Sequence, residues 1–355
     1  LQKNWGQHNK KMIVCGSLQK SSSLNKILIE LNKDPSVCIL TETTSNIYNE
    51  NFISCIDRTL ERINDNPKFF PEIVITIGSS IISKKLKSLL RKNKPKVHWH
   101  VEEANRAQDV FSSLTHFIPI EPLDFFKNFL DGYQSNKDSN FNNDWYLEFE
   151  KSEENHLQYL SSCKWSDLKA HNLIQKQLNG KNVNLQMGNS TSVRYVQLFQ
   201  QQKDLKYNSN RGVSGIDGSS STAVGAASVT DELTVLITGD LSFIYDQHAL
   251  WNKEVPKNLK IIVVNNQGGG IFNIISGPKT TPYSKEFFET THEISLEKIA
   301  ATFRINYQKA TNEIQAAECL NNIFNSKDAE IIELFTGNIE NENVLNDYFR
   351  NIKKD

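Results

Sequence analysis

VVNNQGGGIF, Val263 to Phe272, is an apolar run of strand character that halts at two asparagines and a glutamine, passes through three glycines and turns apolar again. β-Branched residues suit a pleated, buried strand, whereas glycine lets a backbone approach another group closely. Two further runs end in the same manner: VNLQMGNS (Val183–Ser190) and LTVLITGDLS (Leu233–Ser242). Helix-forming segments follow them, TSVRYVQLFQQ after the first and LSFIYDQHALWN after the second. Polar and glycine residues thus gather at the C-terminal ends of strands, the edge of an open α/β sheet where ligands bind. AEIIELFTG adds a late strand and VLNDYFRNIKK a closing helix.

The N-terminal half repeats the alternation. KMIVCGS, VCILTE, EIVITIGSS, KVHWHVEE and THFIPIE read as strands. SLNKILIELN, FISCIDRTLERI, SKKLKSLLRKN and LDFFKNFLDGY read as helices between and after them. Strands alternating with helices over such short spans predict parallel sheets covered on both faces. The fold class is therefore α/β, with two doubly wound parallel-sheet domains. The polar stretch QSNKDSNFNND marks the connection. The expected division is 1–133, a linker and connecting helix over 134–164, and 165–355.

The 355 residues carry a formal net charge of -1, which offers no electrostatic case for nucleic acid or an anionic membrane. No apolar run approaches the roughly 20 residues of a membrane helix, so no membrane insertion is expected. Five scattered cysteines without a Cys-x-x-Cys pair fit buried thiols in a reducing cytoplasm. The chain opens on Leu1, and LQKNWGQHNKK reads as the tail of a linker, so a piece of a longer protein is expected. HWH (His98–His100) has no third ligand nearby in sequence and reads as ordinary strand.

Neither G-x-G-x-x-G nor G-x-x-x-x-G-K-[ST] occurs, which removes the dinucleotide and P-loop signatures. Three glycines alone equally describe a flexible turn. Asp240 changes the balance, because it lies at a strand end where a helix starts, beside backbone amides suited to a phosphate. An acid and a phosphate in one place need a cation between them, and Mg²⁺ takes hard oxygen ligands completed by substrate phosphates. Twenty-four residues separate Asp240 from Asn265, the length of one helix and one returning strand. Such a crossover brings the two strand ends side by side.

Gly-Asp, some two dozen residues, then Asn-Asn resembles the signature of thiamine-diphosphate enzymes, although Leu241 stands where a glycine is usual. The stretches SNRGVSGIDGSSSTAVGAA (Ser209–Ala227), MGNSTSVRY and FFETTH narrow the likeness to one branch. These segments resemble the 2-succinyl-5-enolpyruvyl-6-hydroxy-3-cyclohexene-1-carboxylate synthases of menaquinone biosynthesis. The resemblance covers nearly all of the second domain and, more loosely, the first. It implies a Rossmann-like middle domain followed by a diphosphate-binding domain. It also implies decarboxylation of 2-oxoglutarate and 1,4-addition of the resulting carbanion to isochorismate, with thiamine diphosphate and Mg²⁺, or alternatively Mn²⁺.

The same resemblance assigns the metal to Asp240, Asn266 and the Gly268 carbonyl. It assigns the rest of the cofactor to Asn189, Ser190, Gly239, Leu241, Ser242 and Gly269, with Ile216, Ile271 and Phe272 as apolar contacts. Substrate carboxylates fall to Arg194 and Arg211, since arginine grips carboxylates with two parallel bonds. An arginine placed like Arg194 equally suits a solvated helix face. Lys84 and Lys85 match a basic pair that is Lys-Arg in the family, and a lysine cannot make the forked contact. The family's activating glutamate lies in a further N-terminal domain, so no catalytic residue is assigned here and the chain is expected to be inactive alone. A homodimer or homotetramer is expected of the full-length form. The alternatives are another 2-oxoacid-decarboxylating thiamine enzyme and a non-catalytic cofactor-binding module.

Overall fold

The computed structural model describes residues 1–63, 65–104, 107–270, 282 and 284–355. It divides into two compact units, Leu1–Leu157 with Asn351–Asp355, and Gln158–Arg350. The division falls within one long helix, Phe141–Ser162.

In the first unit β1 (Lys11–Cys15), β2 (Val37–Thr41), β3 (Ile73–Ile77), β4 (Val97–Val101) and β5 (His116–Ile118) form a sheet. Its order is β2-β1-β3-β4-β5, and all pairings are parallel. Successive side chains of a strand point to opposite faces, so continuous apolar runs feed two cores. Ile13, Ile39 and Ile75 meet Leu28, Leu31 and Phe126 on one face. Met12, Val14, Leu40 and Val74 meet Leu86, Leu90 and Trp145 on the other. Helices Ser22–Asn32 and Lys84–Lys92 start at serines whose hydroxyls accept from the backbone three residues on, satisfying a donor that the first turn leaves free. The expected helix FISCIDRTLERI is confined to Ile56–Ile63, because Ile53 is held as strand by exchanging bonds with Ile39 and Thr41.

The second unit carries β6 (Val183–Met187), β7 (Leu205–Ser209), β8 (Thr234–Gly239), β9 (Leu259–Asn265), β10 (Asn306–Ala310) and β11 (Glu330–Phe335). The order β10-β11-β9-β8-β6-β7 is again wholly parallel. Leu236, Ile261, Val263 and Ile331 share a core with Ala223, Phe243 and Ile299. The strand order reverses between β6 and β8, which opens a crevice at their C-terminal ends. Both helices expected beside that crevice are short: Thr191–Val196 and Asp240–Tyr245, the latter followed by a tighter turn over Gln247–Trp251. The α/β class with two parallel sheets holds as read from the sequence, while these helix lengths do not.

Candidate cofactor site

Three strand ends supply the site's side chains. After β6 come Gly188, Asn189 and Ser190; after β8 come Asp240, Leu241 and Ser242; β9 ends in Asn265, followed by Asn266, Gln267 and Gly268. Gly188 is required by closeness, since a Cβ there would lie 2.8 Å from Thr238 Oγ1. Gly268 has φ +147°, and its Cβ would fall 2.4 Å from the Glu289 carbonyl, so only glycine fits.

Asp240 is 2% exposed. Its Oδ1 accepts from the Leu241 amide at 2.8 Å, and Oδ2 accepts from the Gly268 amide at 2.8 Å and from His292 Nε2 at 3.1 Å. His292 Nδ1 meanwhile accepts from the Ile294 amide at 3.2 Å, which fixes Nε2 as the protonated nitrogen of the neutral ring. The bond to Asp240 raises the His292 pKa above its ordinary value.

The two consecutive asparagines are each held by a buried carboxylate. Asn265 Nδ2 donates to Glu333 Oε1 at 2.8 Å, and its Oδ1 accepts from the Gln267 amide at 2.8 Å, shaping the turn. Asn266 Nδ2 donates to Asp167 Oδ2 at 2.9 Å. Burial, with the Asp240 charge adding to it, pushes the Asp167 carboxyl up to about 6. Asn266 is 4% exposed, yet its Oδ1 finds no hydrogen-bond partner among the described residues. A buried amide oxygen left bare costs on the order of 1–3 kcal/mol unless something accepts its lone pairs. A hard cation does so, and a carboxylate, an amide oxygen and a backbone carbonyl form a set suited to Mg²⁺. The residues present therefore fit the ion. Among the described residues, no group of three His, Cys, Asp or Glu side chains is placed for a metal.

Around this centre Asn189 is a strut: Nδ2 donates to the Asn210 and Gly215 carbonyls at 2.8 and 2.6 Å, and Oδ1 accepts from Arg211 Nη1 at 2.8 Å. Arg211 is thereby brought to the β6 end. Ser190 has φ +69°, a left-handed conformation unusual for serine, and its carbonyl accepts from Arg194. Ser242 Oγ donates to the Ile216 carbonyl at 2.5 Å, tying the half-buried Ile216 to the β8 end. The hydroxyls of Ser192, Ser219 and Ser220 are buried without partners among the described residues. Asn189, Ser190, Arg211, Ile216, Gly239, Asp240, Leu241, Ser242, Asn266 and Gly268 thus all belong to the C-terminal edge of the second sheet. Gly269 lies there too, its amide donating to the Glu289 carbonyl at 2.6 Å. Ile271 and Phe272 fall outside the described residues. Lys84 and Lys85 belong to the first unit, at the start of the helix Lys84–Lys92, where Lys85 pairs with Glu61.

Sequence reasoning missed Asp167, Glu333, His292 and Thr336. The signal for Asp167 was present but ambiguous: Ser166-Asp167 opens a helix, where an acid is ordinary.

The strand edge that carries the Asp240–Asn266 pair lies within a match to a thiamine-pyrophosphate-binding domain. The family described as thiamine pyrophosphate enzyme, C-terminal TPP binding domain, matches residues 186–334. A 2-succinyl-5-enolpyruvyl-6-hydroxy-3-cyclohexene-1-carboxylate synthase of Flavobacterium johnsoniae is 40% identical over 98% of this chain and 63% of its own length. That of Flavobacterium psychrophilum is 41% identical over 98% and 63%, and that of Porphyromonas gingivalis 35% over 95% and 60%. Over nearly its whole length this chain is similar to these synthases, and it spans about three fifths of theirs. No helix among the described residues is long and apolar enough to cross a membrane.

Proposed function

We propose that this chain is the metal- and diphosphate-holding part of a 2-succinyl-5-enolpyruvyl-6-hydroxy-3-cyclohexene-1-carboxylate synthase, acting on 2-oxoglutarate and isochorismate with thiamine diphosphate and Mg²⁺. The bare, buried Asn266 Oδ1 carries the reading. Asp240, Asn266 and the Gly268 carbonyl hold the ion, and Mn²⁺ meets the same ligands. Gly239, Leu241, Ser242, Ser190, Asn189 and Gly269 line the diphosphate. Ile216 supports the apolar body of the cofactor, with Ile271 and Phe272 assigned to the same wall.

When bound, thiamine diphosphate supplies a nucleophilic carbon that permits a 2-oxoacid to lose carbon dioxide and the remainder to join an acceptor. The protein's part is to orient the reactants and to exclude water. Arg211, fixed by Asn189, offers its guanidinium to a substrate carboxylate, and Arg194 offers a second. Lys84 and Lys85 are proposed to add positive charge for the same purpose. No glutamate of this sequence is given the role of activating the cofactor's pyrimidine ring, and the full-length form is proposed to be a homodimer or homotetramer.

The test pairs binding with turnover. Calorimetry of Mg²⁺ and thiamine diphosphate against the chain should show joint binding. The full-length protein given 2-oxoglutarate and isochorismate should yield the adduct by mass. Carbon dioxide without adduct would transfer the reading to another 2-oxoacid decarboxylase. Binding without either product would leave a cofactor-holding module, and no binding would sink the site.

A further inference from the structure

A side-chain amide has two different ends, and only its oxygen can ligate a cation. What turns the oxygen of Asn266 toward the ion is therefore a separate question from what binds it. Asp167 answers it by position. It is 2% exposed in the first turn of the helix Asp167–Leu178, and its Oδ2 accepts from Asn266 Nδ2 at 2.9 Å. Turning the amide over would set its oxygen against that carboxylate, so one orientation alone is accommodated.

Asp167 is itself locked. Thr336 Oγ1 donates to its Oδ1 at 2.6 Å, and the Asp167 backbone amide donates to Asn341 Oδ1 at 2.6 Å. Asn341 Nδ2 donates onward to the Gly337 carbonyl at 2.5 Å. The Thr336 amide donates to the Asn265 carbonyl at 2.9 Å, which ties the lock to the strand end that carries Asn266. Thr336 and Asn341 are 7% and 4% exposed, so water does not compete for these bonds.

We propose that Asp167 is a positioning residue for the metal centre: through Thr336 and Asn341 it holds the Asn266 amide in the one orientation whose oxygen ligates Mg²⁺. The inference rests on the reading of Asn266 as a ligand. Its action is geometric, exerted by an acceptor atom at a fixed place, and not by attraction between the Asp167 charge and the ion. Outer partners of this kind typically account for about 10–100-fold in metal affinity.

The experiment measures Mn²⁺ binding in the presence of thiamine diphosphate, following free Mn²⁺ by electron paramagnetic resonance, with a thermal melt of each metal-free variant. Asp167→Ala should weaken Mn²⁺ binding by about tenfold or more. Asp167→Asn keeps a carbonyl oxygen for Asn266, and its new amide finds an acceptor in Thr336 Oγ1, so it should recover most of the loss although the charge is gone. An Asn variant as weak as the Ala variant, or an Ala variant as tight as the parent, overturns the proposal. A second pair is independent of whether Asp167→Ala folds. Asn266→Asp sets two carboxylates face to face, and adding Asp167→Asn restores a donor–acceptor pair. The doubly substituted chain should bind Mn²⁺ more tightly than Asn266→Asp alone, and equal or weaker binding overturns the proposal. If the parent chain binds no Mn²⁺ with thiamine diphosphate, the ligand reading falls and this inference falls with it.

Discussion

The two sheets obey one architectural rule and finish their C-terminal edges in opposite ways. In the first unit the strand ends close on each other. A Cβ on Gly16 would lie 2.9 Å from the Ser80 carbonyl, and one on Gly78, at φ +73°, would lie 2.6 Å from the Ser17 carbonyl. Ser79 donates its amide to Ser17, and Ser17 donates its own amide to Ser80. The buried Glu42 at that edge engages both oxygens with the Ser83 and Ile82 amides at 2.8 Å. In the second unit Asp240 is also buried, but the neighbouring Asn266 keeps an oxygen without a partner among the described residues. The hydroxyls of Thr41 and Thr43 also lack partners in the first unit, yet among the described residues no buried carboxylate or amide oxygen is left bare at its C-terminal edge. The two edges thus differ in whether their buried carboxylate and amide oxygens find partners among the described residues.

The largest effect that would break this contrast is on cofactor binding. Asp240→Ala should weaken joint binding of Mg²⁺ and thiamine diphosphate by more than about a hundredfold, beyond what outer partners contribute. Calorimetry reads this directly, and unchanged affinity would mean that the open edge is not the site. Next is Gly78→Ala, which forces a side chain into a left-handed position against a backbone carbonyl. It should cost about 3 kcal/mol in urea unfolding of the first unit and leave cofactor affinity untouched. A drop in affinity would show that the closed edge also serves the ligand.

The third effect is on pH dependence. Burial, outweighing its two amide bonds, pushes the Glu42 carboxyl up to about 7 from 4.5. The folded chain then binds this proton more tightly than the unfolded one, so the contribution of Glu42 to stability falls as pH rises from about 4.5 through 7. Glu42→Gln should remove about 3 kcal/mol of that decline. Asp167 titrates in the same sense, so the profile flattens only in part. A variant with the parent's slope would show Glu42 ionised throughout.

All five strands of the first sheet were legible in sequence: β1, β2 and β3 are apolar runs buried along their length, and β4 and the half-exposed edge strand β5 lie within the recognisable runs KVHWHVEE and THFIPIE. β7 and β10 were not: LKYNS and NYQKA are the two edge strands, half polar and too short for a period to stand out. The spacing of Asp240 and Asn265 announced two adjacent strand ends, and the structure brings them together at the ends of β8 and β9. Asn266 and Arg211 were named from the family resemblance, and the structure places both at the same sheet edge. Asp167, Thr336 and Asn341 were invisible for the converse reason. They meet Asn266 or one another across 99, 169 and 174 residues, and no local pattern encodes such distances.

That separation sets the order in which the molecule is made. The bond from the Asp167 amide to Asn341 spans 174 residues of chain, and His292 reaches back 52 residues to Asp240. A nascent chain that has passed β9 already carries Asp240 and Asn266, yet it lacks the Thr336 and Asn341 that seat Asp167. Contacts between segments so far apart form late, after the loops between them have closed. On the proposed reading of Asp240 and Asn266 as ligands, a chain halted before β11 carries both of them and lacks the residues that seat Asp167.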